Sequence, residues 1–180
     1  MIYHFITNLI ATVVAAFCLT SCTIGGDDTD EYGSGLLQKG TPAPDFMIYT
    51  DSHPEGFTLS SLQGQYVMIE FWASWCPDCQ KETENMKRLY ATYAPLGVVF
   101  VGVSFDTDKE QWQQYIHDNG LDWIQYCELK PWKESTLSTA YNVKWIPTLY
   151  LIDKEGRVVQ GTVDVNAMDT LLASLNLNGQ

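Results

Sequence analysis

Two cysteines separated by two residues, Cys76 and Cys79, close the run Glu70-Phe71-Trp72-Ala73-Ser74-Trp75-Cys76-Pro77-Asp78-Cys79. Such a pair can bind a metal with two further ligands, close a small structural disulfide, or exchange its disulfide with another molecule. The metal reading lacks partners: His53, His117 and Cys127 are far apart and none sits in a paired motif. A structural staple over so short a loop adds little, because in the chain-entropy account stabilisation grows with loop size. Exchange chemistry fits the surroundings best. Pro77 suits the first turn of a helix, where its missing N–H costs nothing. A thiol at that terminus meets unpaired backbone N–H groups and the positive end of the helix dipole, so Cys76 should ionise near neutral pH. Cys79, further along the helix, can reach back to close the disulfide.

Positioning such a pair takes a rigid strand before it and a helix after it, and the periodicities supply both. Residues 66–72, 98–103 and 148–152 are continuous apolar runs, as expected of strands buried on both faces. Met86, Leu89, Tyr90 and Tyr93 form a helical stripe, as do Met168, Leu171, Leu172 and Leu175. Trp112, Tyr115 and Ile116 make a third, stopped by Asn119-Gly120. Asp153-Lys154-Glu155-Gly156 reads as a hairpin turn. Residues 46–49 and 57–59 suit an extra hairpin in front. The expected order is hairpin, β, α, β, α, β, β, α, an α/β fold with one mixed sheet and helices on both faces.

The segment 71–79 resembles the redox segment of the thioredoxin superfamily, and Ile146-Pro147-Thr148 resembles its cis-proline loop. Pro42-Ala43-Pro44-Asp45-Phe46 and Leu59-Ser60-Ser61-Leu62-Gln63-Gly64 are similar to the front section of the extracytoplasmic TlpA/ResA group, which peroxiredoxin relatives share. The resemblance covers about 41–177 and implies a thioredoxin-like fold with an N-terminal β-hairpin extension. It makes Cys76 the exposed attacking cysteine, Cys79 the buried resolving one and Pro147 the cis-proline. Trp75, Pro77, Trp145 and Ile146 join Pro147 along the substrate groove. Trp145 stands where many thioredoxins have a small glycine, so it either narrows that groove or packs against loop neighbours. Glu70 matches the buried acid of the fold. Between Ile69 and Phe71 it should be desolvated, which raises a carboxyl pKa and suits proton exchange with Cys79. Glu82 matches a glutamate near the thiols, although the helix dipole alone favours an acid there. Cys127 reads as an inert thiol. No role falls to His53 or His117.

The implied activity is a protein-disulfide oxidoreductase without metal or organic cofactor. Cys76 attacks a substrate disulfide, and Cys79 releases the reduced substrate. Reduction is the favoured direction, with electrons from a membrane-embedded thiol donor and disulfide-containing extracytoplasmic proteins as substrates. The alternatives are a thiol peroxidase and a redox-inactive binding module of a surface lipoprotein complex. Against the peroxidase, nothing before Cys76 matches a Pro-x-x-x-Thr-x-x-Cys setting.

Residues 1–21 contain no Lys, Arg, Asp or Glu, and 5–17 are largely apolar. That run is short for a transmembrane helix and suits a signal peptide. Leu19-Thr20-Ser21-Cys22 resembles a lipobox, implying cleavage before Cys22 and its lipidation, despite a leading segment without Lys or Arg. The competing readings are an uncleaved anchor or a cut elsewhere. Residues 22–35, acidic and glycine-rich, read as a flexible tether, and 36–180 as the folded domain. The expected place is the bacterial cell envelope, facing the periplasm or the cell surface, with a lipid as the only membrane contact and the protein a monomer. With 10 Lys+Arg against 22 Asp+Glu, the net charge of −12 disfavours nucleic-acid binding.

Overall fold

The apolar runs become the centre of a five-stranded sheet because both of their faces are covered. The structure, a computed structural model, describes residues 28–177. Its order is α1 (Asp28–Gly33), β1 (Met47–Thr50), β2 (His53–Thr58), β3 (Tyr66–Trp72), α2 (Pro77–Tyr93), β4 (Val98–Ser104), α3 (Lys109–Asn119), β5 (Ile124–Cys127), α4 (Thr136–Ala140), β6 (Thr148–Ile152), β7 (Val158–Thr162) and α5 (Val165–Ser174). The sheet order is β5-β4-β3-β6-β7. Strands β3, β4 and β5 run parallel, and β6 is antiparallel to both β3 and β7. β1 and β2 pair antiparallel in a separate two-stranded sheet.

The two crossovers β3-α2-β4 and β4-α3-β5 step the same way along the sheet. With a common right hand they put both helices on one face. Contacts between helices agree: Thr83 of α2 and Tyr115 of α3 share a hydroxyl hydrogen bond of 2.8 Å, and Arg88 of α2 pairs with Asp169 of α5 at 2.7 Å. The other face carries an aromatic cluster of Phe71, Phe105, Tyr141 and Tyr150, with Tyr141 directly following the short α4. Each long helix starts on a side-chain cap. Asp108 accepts from the Glu110 and Gln111 N–H groups at α3, and Asp164 from Asn166 at α5. α3 ends on Gly120 at φ 61°, which needs the left-handed freedom of glycine.

Two features differ from the sequence expectation. A fifth strand, β5, lies between α3 and β6 and forms one edge of the sheet. In addition, the acidic stretch read as a tether turns into α1 from Asp28 onward, and the Tyr32 ring stacks on Trp145 with centroids 4.4 Å apart and planes at 22°. One aromatic face gives this otherwise polar segment the apolar contact that its composition lacks. The chain then joins the domain through buried Leu36 and a 3.0 Å hydrogen bond from the Leu37 N–H to the Tyr150 hydroxyl. The signal segment and Cys22 lie outside the described residues.

Candidate redox site

β3 delivers the chain to the C-terminal edge of the parallel strands, and Cys76 is the N-cap of α2 with Pro77 as its first residue. The Cys76 Sγ accepts from the Cys79 backbone N–H at 3.1 Å. The thiol donates to the Ile146 carbonyl at 3.4 Å. Hydrogen bonding to Cys79, together with the backbone N–H groups of Cys79 and Asp78, brings the Cys76 pKa down to about 7 against the opposing effect of burial. Cys79 lies on the buried stripe of α2 with Thr83, Met86, Leu89 and Tyr93. Burial, and then its neighbour Cys76, push its thiol far above the ordinary value.

Cys76 is not exposed as the resemblance implied: it is 4% exposed and Cys79 3%. The Ile146 carbonyl covers its sulfur, while the adjacent Trp75 stands 47% exposed. Ionisation nevertheless separates the two thiols. Alkylation by iodoacetamide is expected to accelerate as pH rises through about 7, with one cysteine modified first. Cys79 and half-buried Cys127, whose thiol burial also raises, should follow only at more alkaline pH. Peptide mapping after timed quenching identifies the first site.

Glu70 lies in the middle of β3, opposite Gly102 of β4 and Leu149 of β6, on the face that α2 covers. Burial, and secondarily Cys76, push its carboxyl up to about 8. Its charge in turn contributes to keeping Cys79 protonated. Glu82 is half-buried on α2 and accepts a 2.8 Å hydrogen bond from Asn85 Nδ2 of its own helix. Ile146–Pro147 is a cis peptide, both residues are buried, and Thr148 Oγ1 donates to the Trp145 carbonyl at 2.7 Å. Cys76, Cys79, Glu70 and the 145–147 loop therefore meet at one end of the sheet. Trp145, half-exposed, meets Tyr32 there.

Asp106 has no counterpart among the sequence candidates. It is fully buried just past β4, and its carboxylate accepts from the Ser74 N–H (2.9 Å), Ser74 Oγ (2.6 Å) and Ser104 Oγ (2.6 Å). It thereby ties the turn before Cys76 to the end of the neighbouring strand. The Cys127 thiol donates to its backbone carbonyl at 3.2 Å. A carboxylate just beyond the end of a parallel strand is the signal that would have marked it, since that edge is where α/β sheets build sites. Asp106→Ala strands the Ser74 amide and two hydroxyls, and a loss of about 2–4 kcal/mol in denaturant unfolding is expected.

Comparisons with known proteins agree with this geometry. Residues 39–160 match the AhpC/TSA family. The thiol-disulfide oxidoreductase ResA of Geobacillus kaustophilus is 32% identical over 139 residues, covering 76% of this chain and 77% of that protein. The ResA of Oceanobacillus iheyensis is 29% identical over 176 residues, covering 94% and 87%. Among solved structures, a thiol-disulfide oxidoreductase from Bacteroides fragilis superposes with a TM-score of 0.68 at 25% identity, over 74% of this chain and 98% of that one. Its sheet, its paired cysteines and these relatives together place one conclusion on the chain: it belongs to the AhpC/TSA family of thioredoxin-like proteins.

Proposed function

We propose that the chain is a thiol-disulfide oxidoreductase that reduces disulfides of extracytoplasmic polypeptides, held to the membrane by a lipid on Cys22. One observation carries the reading: a thiol with a pKa of about 7 caps α2, and a second thiol, kept protonated, lies directly behind it. At neutral pH the first is a nucleophile and the second waits. Cys76 thiolate attacks a substrate disulfide; one substrate sulfur leaves as a thiolate and takes a proton, and the other stays bonded to Cys76. The Cys76 charge is then gone. That charge had raised both Glu70 and Cys79, so both come down together. With its pKa lowered, Glu70 first releases its own proton to solvent; the carboxylate then accepts the Cys79 proton, Cys79 attacks Cys76, and the second substrate sulfur leaves and takes a proton from solvent. Two electrons pass from the dithiol to the substrate, and the protein ends as the disulfide.

The Cys76 value near 7 supports the reducing direction. Strong oxidants of this chemistry stabilise the attacking thiolate far more, which stabilises their reduced form. Trp75 and the 145–147 loop border the sulfur and supply the groove. Glu82, bonded to Asn85 of its own helix, inherits the proton-handling role only if Glu70→Gln leaves resolution unchanged. A membrane-embedded thiol donor fits the anchor: Tyr32, stacked at the site end of the sheet, stands ten residues after Cys22. Ten extended residues reach at most about 35 Å, so a lipid on Cys22 keeps the site close to the bilayer. No helix of the described residues is long and apolar enough to cross a membrane.

Insulin reduction by the full chain with a dithiol donor tests the activity. Turnover lost in Cys76→Ser, and a Cys76–Cys79 potential nearer about −270 mV than about −120 mV, are the expected results. Peroxide consumption exceeding disulfide reduction overturns the reading in favour of a peroxidase, and inertness in both assays favours a binding module. Mass spectrometry of the membrane fraction should find an acylated N-terminal Cys22; an intact Met1 removes the anchor.

A further inference from the structure

Glu70, Gly102 and Gln125 are register partners across β3, β4 and β5, and so share one face of the sheet. The middle position has no side chain, and something else fills the space. A Cβ on Gly102 would lie 2.3 Å from Gln125 Oε1, 2.9 Å from its Cδ and 3.0 Å from Trp72 Nε1. The Gln125 amide thus reaches across β4 toward the strand that bears Glu70, and the Trp72 indole, two residues beyond Glu70, meets it there. Both polar atoms of the Gln125 amide are buried without a hydrogen-bond partner, and so is Trp72 Nε1. Buried polar groups are almost always paired, and an unpaired set calls for a physical cause. An apolar side chain would occupy the same volume without that penalty.

We infer that Gln125 is a positioning residue for Glu70, its amide held over Gly102 to bond the Glu70 carboxylate that takes the proton from Cys79. The inference rests on the proposed proton transfer between Cys79 and Glu70. An amide suits the position because it serves both states: Nε2–H donates to a carboxylate, and Oε1 accepts from a protonated carboxyl. The indole N–H of Trp72 can only donate, and so favours the charged state. Among the described residues, the other elements around Glu70 offer no competing charge. β4 presents Gly102, β6 presents Leu149, and Tyr115 of α3 is engaged with Thr83 of α2. From α2 and its cap come only the thiols Cys76 and Cys79, the titratable groups coupled to Glu70. With no cation in that set, neutral dipoles are what can stabilise the carboxylate, and the Gln125 amide is the adaptable one.

Two substitutions in the full chain test this by different routes. Gln125→Leu removes the dipoles and keeps the bulk. Gly102→Ala keeps the amide but puts a methyl group where Oε1 now lies. Attack and resolution are followed separately by rapid mixing with a model disulfide between pH 5 and 10, with Glu70→Gln alongside. Both variants should slow resolution about tenfold near neutral pH and move its rise about one unit to higher pH, with attack by Cys76 unchanged. The infrared carbonyl band of protonated Glu70, identified by its loss in Glu70→Gln, should shift in both variants. A resolution profile and a Glu70 band that stay in place in Gln125→Leu, while Glu70→Gln slows resolution, make Gln125 a packing residue and overturn the inference alone. Resolution unchanged in Glu70→Gln overturns the proton-transfer reading and the inference with it.

Discussion

Cys76→Ser is expected to bring disulfide reduction down to the uncatalysed background, whereas Cys79→Ser should halt after about one turnover with substrate covalently held on Cys76. The asymmetry follows from the ends of one helix turn. Cys76 caps α2 and takes the Cys79 N–H at 3.1 Å, so its thiolate is stabilised before any substrate arrives. A serine hydroxyl there accepts the same hydrogen bond but does not ionise near neutral pH, and the thiolate is the species that attacks. Cys79 lies inside, on the stripe that packs against the sheet, and its thiol is held protonated. Its loss leaves attack intact and removes the sulfur placed to release the product. Non-reducing electrophoresis with a labelled disulfide peptide separates the outcomes. Mixed disulfides trapped by Cys76→Ser in place of Cys79→Ser would reverse the two roles.

Glu70→Gln should slow resolution about 10²-fold, the lower end of what a positioned proton acceptor contributes, because water can partly substitute at a thiol. Attack by Cys76 should hardly change. The same substitution should stabilise the fold, with a definite pH dependence. The carboxyl is raised from 4.5 to about 8 by folding. Between those values the folded chain keeps a proton that the unfolded chain has released. Stability attributable to Glu70 therefore falls as pH rises through that interval, and above it the loss is constant at no more than about 5 kcal/mol. Glutamine does not titrate. Wild type and Glu70→Gln should unfold at similar denaturant concentrations near pH 4.5 and diverge steadily up to about pH 8, the variant the more stable. Parallel unfolding curves across that range would mean that Glu70 keeps its ordinary ionisation.

The central strands were readable because burial on both faces leaves almost wholly apolar sequence, broken within β3 by Glu70 alone, and β3 and β6 have the limits that their runs suggested. Edge strand β5 gave no such run. It has four half-buried residues and mixes Gln125 with Ile124 and Tyr126, so neither alternation nor continuous apolarity marks it. The paired cysteines and the Ile-Pro-Thr loop carry their spacing in the chain itself. Asp106 does not, for its partner Ser74 is 32 residues away and the pairing exists only once β3 and β4 lie side by side. Gln125 was hidden in the same way: its amide matters because Gly102, in another strand, has no side chain. Cys76 was expected to be open to solvent, and the folded 145–147 loop closes over it.

The stacked pair Tyr32 and Trp145 has a consequence for turnover. A polypeptide that lies against Trp145 must first displace a ring already 4.4 Å away, so what it gains there is the difference between two stacking contacts, not one whole contact. Such a difference is small whenever the incoming group is itself aromatic or aliphatic. Little affinity then accumulates before sulfur meets sulfur, and the returning tyrosine helps to expel what has reacted. An enzyme arranged this way discriminates among clients by how readily their disulfides can be approached, and is slow to be clogged by its own products.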